Sequence, residues 1–167
     1  NGPHKKWFGL MNLWFEYKIS NGDTTSNQEQ FDHSINRVLF TMGVIKQKYN
    51  YDPDKIYIGG YSQGAIVAYK LALLYPEKFA GIVIHSARLP VEYSIKSPSD
   101  IYQNLDMLII HGNHDSVLTS KWATQGVKLF KRLGAEVEYY GGNFGHERTE
   151  DSISQMSRWL NERIDGK

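Results

Sequence analysis

Cysteine is absent from all 167 residues. That excludes a disulfide framework, a thiol nucleophile and a thiolate metal site. Long apolar runs are missing too: none approaches the roughly 20 residues that a membrane-spanning helix needs. Neither sign of charge dominates, since 19 Lys and Arg face 18 Asp and Glu for a formal net charge of +1. The two signs are interspersed, which leaves no stripe for nucleic acid and no acidic tail. Internal repeats, low-complexity tracts and a signal-peptide pattern are likewise absent. What remains is a globular composition, 41% hydrophobic and 13% aromatic, sufficient for a packed core. The length suits one domain over residues 1–167. The expectation is a soluble, cytoplasmic protein.

Apolar periodicity alternates along the chain. Trp7 to Ile19 is aromatic-rich and irregular, read as a loop with a short strand, and Asn21-Gly22-Asp23 is a turn signal. Ser26-x-x-Glu29 reads as a capping box before Phe31, Ile35, Val38, Met42, Ile45 and Tyr49. That spacing predicts a long helix with one face on a sheet, ended by Tyr51-Asp52-Pro53-Asp54. Lys55 to Gly59 reads as a strand, and Ala65 to Tyr75 as a helix that is apolar nearly all round and therefore buried. Gly81 to Ile84 and Met107 to Ile110 are continuous apolar runs, as central parallel strands should be. Trp122, Ala123, Val127, Phe130 and Leu133 mark a helix ended by Gly134. Glu136 to Tyr140 alternates as a strand, and Ile153, Met156, Trp159, Leu160 and Ile164 mark the last helix. Strand and helix in alternation predict an α/β fold, a mostly parallel sheet with helices on both faces.

One junction in this pattern carries chemistry. Gly60-Tyr61-Ser62-Gln63-Gly64 reads G-x-S-x-G and lies between a strand and a helix. In such a turn the serine is held in a strained conformation, and side chains two residues either side would collide, so Gly60 and Gly64 are needed. The arrangement is the nucleophile elbow of an α/β-hydrolase, with the serine at the positive end of the helix. The serine needs a base, and the base an orienting acid, in the chain order Ser, Asp or Glu, His.

Asp115 follows the Met107 to Ile110 strand, on the sheet edge where chemistry gathers. Asp100 and Asp106 precede that strand and are expected at the opposite edge. His146 is the histidine that follows Asp115, in the Gly-rich loop Gly141 to His146 after the last strand. The candidate triad is therefore Ser62, Asp115 and His146. His85 and His111 end or follow strands and are read as packing or hydrogen-bonding residues near the site. His33 falls on a polar helix face, and His4 lies upstream of Ser62. His111-x-x-His114-Asp115 holds three potential metal ligands. Residues three apart on a strand end face opposite ways, however, and no further ligand pattern accompanies them. The expectation is no metal and no cofactor.

These residues, together with His111-Gly112, Gly145-His146, Ser86-Ala87-Arg88-Leu89-Pro90 and Trp14-Phe15-Glu16, resemble the carboxylesterase/phospholipase group that includes acyl-protein thioesterases. The resemblance covers nearly the whole chain. It implies a serine hydrolase that cleaves small-molecule carboxylic esters or acyl thioesters, with the backbone N–H of Gln63 as one oxyanion donor. Members of the group begin with further strands, and an early His-Gly loop supplies a second donor; neither is found before Ser62. The expected fold is thus N-terminally incomplete. The alternative expectation is a catalytically impaired fragment or binding module that needs a complementing N-terminal segment or a partner such as a second copy. Leu89, Pro90 and Val117 are candidate groove residues, since the stretch from Leu89 to Asn104 is the longest irregular connection.

Overall fold

The computed structural model describes residues 2–6, 11–20, 23–90 and 99–165. The turn expected at Asn21-Gly22-Asp23 lies largely outside them, as does 91–98 of the long connection. The sequence suggests one domain; the described residues cluster as two compact units, one up to Asp52 and the other from Pro53.

In the first unit the irregular stretch forms two antiparallel ribbons. Strand β1 (His4–Lys6) pairs with β2 (Met11–Leu13), and β3 (Tyr17–Ser20) with β4 (Asp23–Ser26). Helix α1 (Gln28–Lys48) follows. Its cap is Asn27, not Ser26, because the Asn27 side chain accepts from the Gln30 amide. Phe31, Ser34 and Ile35 are buried, and the Phe31 ring lies 4.5 Å from that of Phe15. The Glu16 amide donates to Gln30 Oε1 at 2.6 Å, and Ser34 Oγ donates to the Trp14 carbonyl. Along the expected apolar face Phe31 and Ile35 are buried and Val38 and Met42 half-buried. Further along, Ile45 is 42% and Tyr49 57% exposed.

The second unit is built on four parallel strands in the order β5 (Tyr57–Tyr61), β6 (Gly81–His85), β7 (Asp106–Gly112) and β8 (Glu136–Gly142). Among the described residues β5 pairs with β6 alone. Helix α2 (Gln63–Leu74) is buried from Ala65 to Ala72, as its all-round apolar sequence requires. Helix α3 (Lys121–Leu133) ends at Gly134, whose φ of 108° is the left-handed cap that glycine adopts at little cost. Helix α4 (Glu150–Ile164) opens with a capping box between Thr149 and Ser152.

Alternate residues of each strand serve opposite faces. Val83, Leu108 and Ile110 cluster with Trp159, Met156 and Leu160 of α4. Ile153 and Ile164 of that helix, expected in its apolar face, are 45% and 48% exposed. On the other face α2 and α3 meet, with the Tyr69 and Phe130 rings stacked at 5.8 Å. The far end of α4 is fastened at the opposite sheet edge. Arg163 Nε donates to Asp106 at 2.7 Å, another guanidinium nitrogen reaches Glu138 at 3.0 Å, and the cation lies 4.1 Å from the Trp159 ring centroid. Asp106 thus opens β7 away from the edge that carries Ser62 and Asp115, as its position before the strand predicts.

Candidate active site

Ser62 stands between the end of β5 and the start of α2 with φ 52° and ψ −120°. That backbone region is costly for a residue with a Cβ, and such strain clusters at functional sites. The surroundings enforce it. A Cβ on Gly60 would overlap the Gly64 carbonyl and the Ala65 nitrogen, so the strand can meet the helix this closely only through glycine. The Ser62 N–H donates to the His85 carbonyl at 2.9 Å, and the Ser62 carbonyl accepts from Ala65 and Ile66 as α2 begins. Gln63 is the first helical residue, which places its amide at the positive helix end.

Asp115 lies three residues beyond the end of β7 and is buried. Its Oδ1 accepts from the Val117 and Leu118 amides at 2.9 and 2.7 Å. Its Oδ2 lies 2.7 Å from His146 Nδ1 and 3.3 Å from His111 Nε2. Burial works to raise the carboxyl pKa. The Leu118 amide, then His146 and the Val117 amide, outweigh it, so the pKa falls below the usual carboxylate value. The other nitrogen of His146, Nε2, is 3.0 Å from Ser62 Oγ. Ser62, His146 and Asp115 therefore form one continuous hydrogen-bonded line. A carboxylate at Asp115 accepts from Nδ1–H, and in the neutral ring Nε2 then accepts from the serine hydroxyl.

The His146 loop is laid against the Asp115 loop. Asn113 and His114 donate their amides to Gly142 and Phe144 at 2.8 and 3.1 Å. A Cβ on Gly112 would overlap the Phe144 and Gly145 carbonyls, so this contact too depends on glycine.

The remaining histidines are engaged elsewhere. His111 donates from Nε2 to the Leu118 carbonyl at 2.7 Å, while its buried Nδ1 has no partner among the described residues. His114 Nε2 is 2.6 Å from Asn143 Oδ1, so His111 and His114 serve different partners. His85 sits between Ser86 Oγ and Ser152 Oγ, 3.0 Å from each. Burial first, and then the neighbouring His111, Arg148 and His146, lower its pKa to about 4. Ser86 also has a positive φ, 51°, and donates its amide to Ile110 at 2.9 Å.

Of the candidate groove residues, Val117 is 66% exposed, whereas Leu89 is 6% exposed and Pro90 is buried. Two features of the site go unnoticed in the sequence. Tyr61 donates its hydroxyl to the His146 carbonyl at 2.7 Å, and Ser152 joins α4 to His85. The tyrosine occupies the unspecified place of the G-x-S-x-G pattern, where residue type gives no signal.

Parallel strands, flanking helices and a serine on a sharp strand-to-helix turn define an α/β-hydrolase. The sequence profile of the phospholipase/carboxylesterase family matches residues 3–164, and the chain belongs to that family. It is 27% identical to lysophospholipase-like protein 1 of Mus musculus over 95% of its own length and 67% of the mouse protein. It is 26% identical to acyl-protein thioesterase 1 of Yarrowia lipolytica, over 94% of its length and 71% of that protein. It spans less, 48%, of a probable carboxylesterase from Oryza sativa subsp. japonica, to which it is 26% identical over 67% of its own length. In fold it resembles the crystal structure of a Mesorhizobium loti carboxylesterase, with a TM-score of 0.78 at 22% identity over 95% of this chain and 72% of that one. A Bacillus cereus carboxylesterase gives 0.73 at 19% identity over 87% and 71%. No helix among the described residues is long and apolar enough to cross a membrane.

Proposed function

We propose that the chain hydrolyses small carboxylic esters or acyl thioesters through an acyl-enzyme on Ser62. The observation that carries this reading is the line from Ser62 Oγ to His146 Nε2 at 3.0 Å and from His146 Nδ1 to Asp115 at 2.7 Å. Ser62 attacks the acyl carbonyl while His146 takes its proton. The oxyanion forms beside the Gln63 amide, where the helix end favours negative charge. His146 then returns the proton to the departing alcohol or thiol. Water, activated by the same imidazole, releases the acid and restores the serine. Asp115 keeps the ring in the required tautomer and stabilises the imidazolium formed in each half. Every proton in this cycle moves between Ser62, His146, substrate and water, so the chemistry calls for no cofactor. Val117, exposed on the loop that carries Asp115, is the groove residue that a substrate would meet; Leu89 and Pro90 lie beneath the surface.

The names of the relatives support both ester and thioester substrates. The test is a fluorophosphonate probe together with turnover of p-nitrophenyl acetate and an S-acyl thiocholine. Wild type should be labelled and should turn over at least one substrate, and Ser62→Ala should do neither. Undiminished labelling of Ser62→Ala would remove Ser62 from the role.

A further inference from the structure

The loop that carries His146 is gripped from two sides. On its incoming side, Gly142 and Phe144 are bonded to Asn113 and His114, the residues leading to Asp115. These bonds fix the base relative to the acid. They do not reach Ser62, which follows a different strand, β5. On the outgoing side the contact partner is Tyr61, the last residue of β5 and the immediate neighbour of Ser62. Its hydroxyl donates to the His146 carbonyl at 2.7 Å across 85 residues of sequence. Its ring lies 5.3 Å from the His146 ring at 40°, and 5.3 Å from the His85 ring edge-on. The Arg148 guanidinium lies 5.2 Å from the centroid of the same tyrosine ring. Base and nucleophile are therefore mounted on one strand end, Ser62 by the chain and His146 through Tyr61.

We propose that Tyr61 is a positioning residue that sets the distance between His146 Nε2 and Ser62 Oγ, separately from the bonds that hold His146 to Asp115. This rests on the triad reading above. Burial, and then the Asp115 carboxylate, push the phenol pKa up, so the hydroxyl remains a donor throughout the pH range in which an imidazole base works. Proton transfer from serine to imidazole needs heavy-atom contact of about 2.6–3.2 Å. A base loop released at one end would spend less time there while keeping its contact with the acid.

The test compares wild type with Tyr61→Phe, which keeps the ring and removes the donor, and Tyr61→Leu, which removes both. Three quantities are read: the rate of fluorophosphonate labelling, kcat and KM for p-nitrophenyl acetate, and the downfield proton resonance of His146 Nδ1 in its bond to Asp115. For Tyr61→Phe the expected result is labelling and kcat lowered about 5- to 10-fold, as for loss of one hydrogen bond. KM, melting temperature and the downfield resonance should stay near wild type, and Tyr61→Leu should be slower still. Labelling of Tyr61→Phe at the wild-type rate would overturn the proposal. So would a loss of rate accompanied by loss of the downfield resonance, which would mean that the whole site had loosened. Ser62→Ala separates the two readings. If it is labelled like wild type, the nucleophile reading fails. If it is silent while Tyr61→Phe is labelled at full rate, only the role of Tyr61 falls.

Discussion

His111 Nε2 lies 3.3 Å from Asp115 Oδ2, the same oxygen that accepts from His146 at 2.7 Å. One carboxylate oxygen thus faces two imidazoles, while the His111 Nε2–H donates to the Leu118 carbonyl at 2.7 Å. The second ring closes the loop from Asp115 to Leu118 upon itself. It stands against the carboxylate oxygen that faces His146.

His111→Ala is therefore expected to lower kcat about tenfold with little change in KM, since the lost contact belongs to the acid and not to the substrate. Steady-state kinetics on an activated ester check this. An unchanged kcat would show that the two backbone amides and His146 suffice to hold Asp115.

Asp115 also gives the fold an acid-sensitive component. Its folded pKa is depressed, so the stability it contributes is present in full above the ordinary carboxylate pKa of about 3.9. That contribution is lost as pH falls below this value through the lower folded pKa. Melting temperatures of wild type and Asp115→Asn, followed from neutral pH downward, should converge in that acid window. A gap that stayed constant down to pH 2 would contradict it.

His85 acts at a higher pH and with the same slope. Its folded pKa of about 4 lies below its unfolded value near 6.5. Between these values the unfolded chain binds a proton that the folded chain refuses, so stability falls as pH drops from about 6.5 to about 4. His85→Gln, which retains hydrogen-bonding groups but does not titrate, should flatten the decline in melting temperature over this interval. An equal decline in both proteins would place the acid-sensitive group elsewhere.

Gly112→Ala tests the seam between the loops that carry Asp115 and His146. The added methyl meets the Phe144 and Gly145 carbonyls, so the base loop must move away. Overpacking of this kind costs about 1–3 kcal/mol. Labelling at Ser62 should fall more steeply than stability does. Wild-type labelling of a stably folded Gly112→Ala protein would show that the loops can part without disturbing His146.

The parts of this site that were legible in the sequence are those set by short-range sterics and chain order. Gly60 and Gly64 announce a close crossing of backbone, and an apolar run before Asp115 and an alternating strand before His146 place both residues at one sheet edge. Of the ribbons between His4 and Ser26 the sequence suggests a short strand and a turn but not the pairing, because β4 reads Asp-Thr-Thr-Ser and offers no apolar alternation. The cap at Asn27 was obscured by an adjacent serine that forms the same motif on paper. Ile45 and Tyr49 satisfy helical periodicity and yet stand exposed, since spacing states which residues share a face but not whether anything covers it. The bond from Tyr61 to His146 joins positions 85 residues apart, and no local pattern encodes it.

Helix α4 is tied at both ends to the sheet it crosses. Ser152 in its first turn meets His85 at the edge that carries Ser62, and Arg163 in its last turn grips Asp106 and Glu138 at the other. Its 15 residues span about 22 Å, so helix length and strand length act as a matched pair. Inserting or deleting a single residue between the ties would shift one end by about 1.5 Å and turn it by about 100°. One anchor would then be lost however the other was kept. Exposed positions along this helix, such as Ile153, should accept a wide choice of side chains, whereas the number of residues between Ser152 and Arg163 should accept no change.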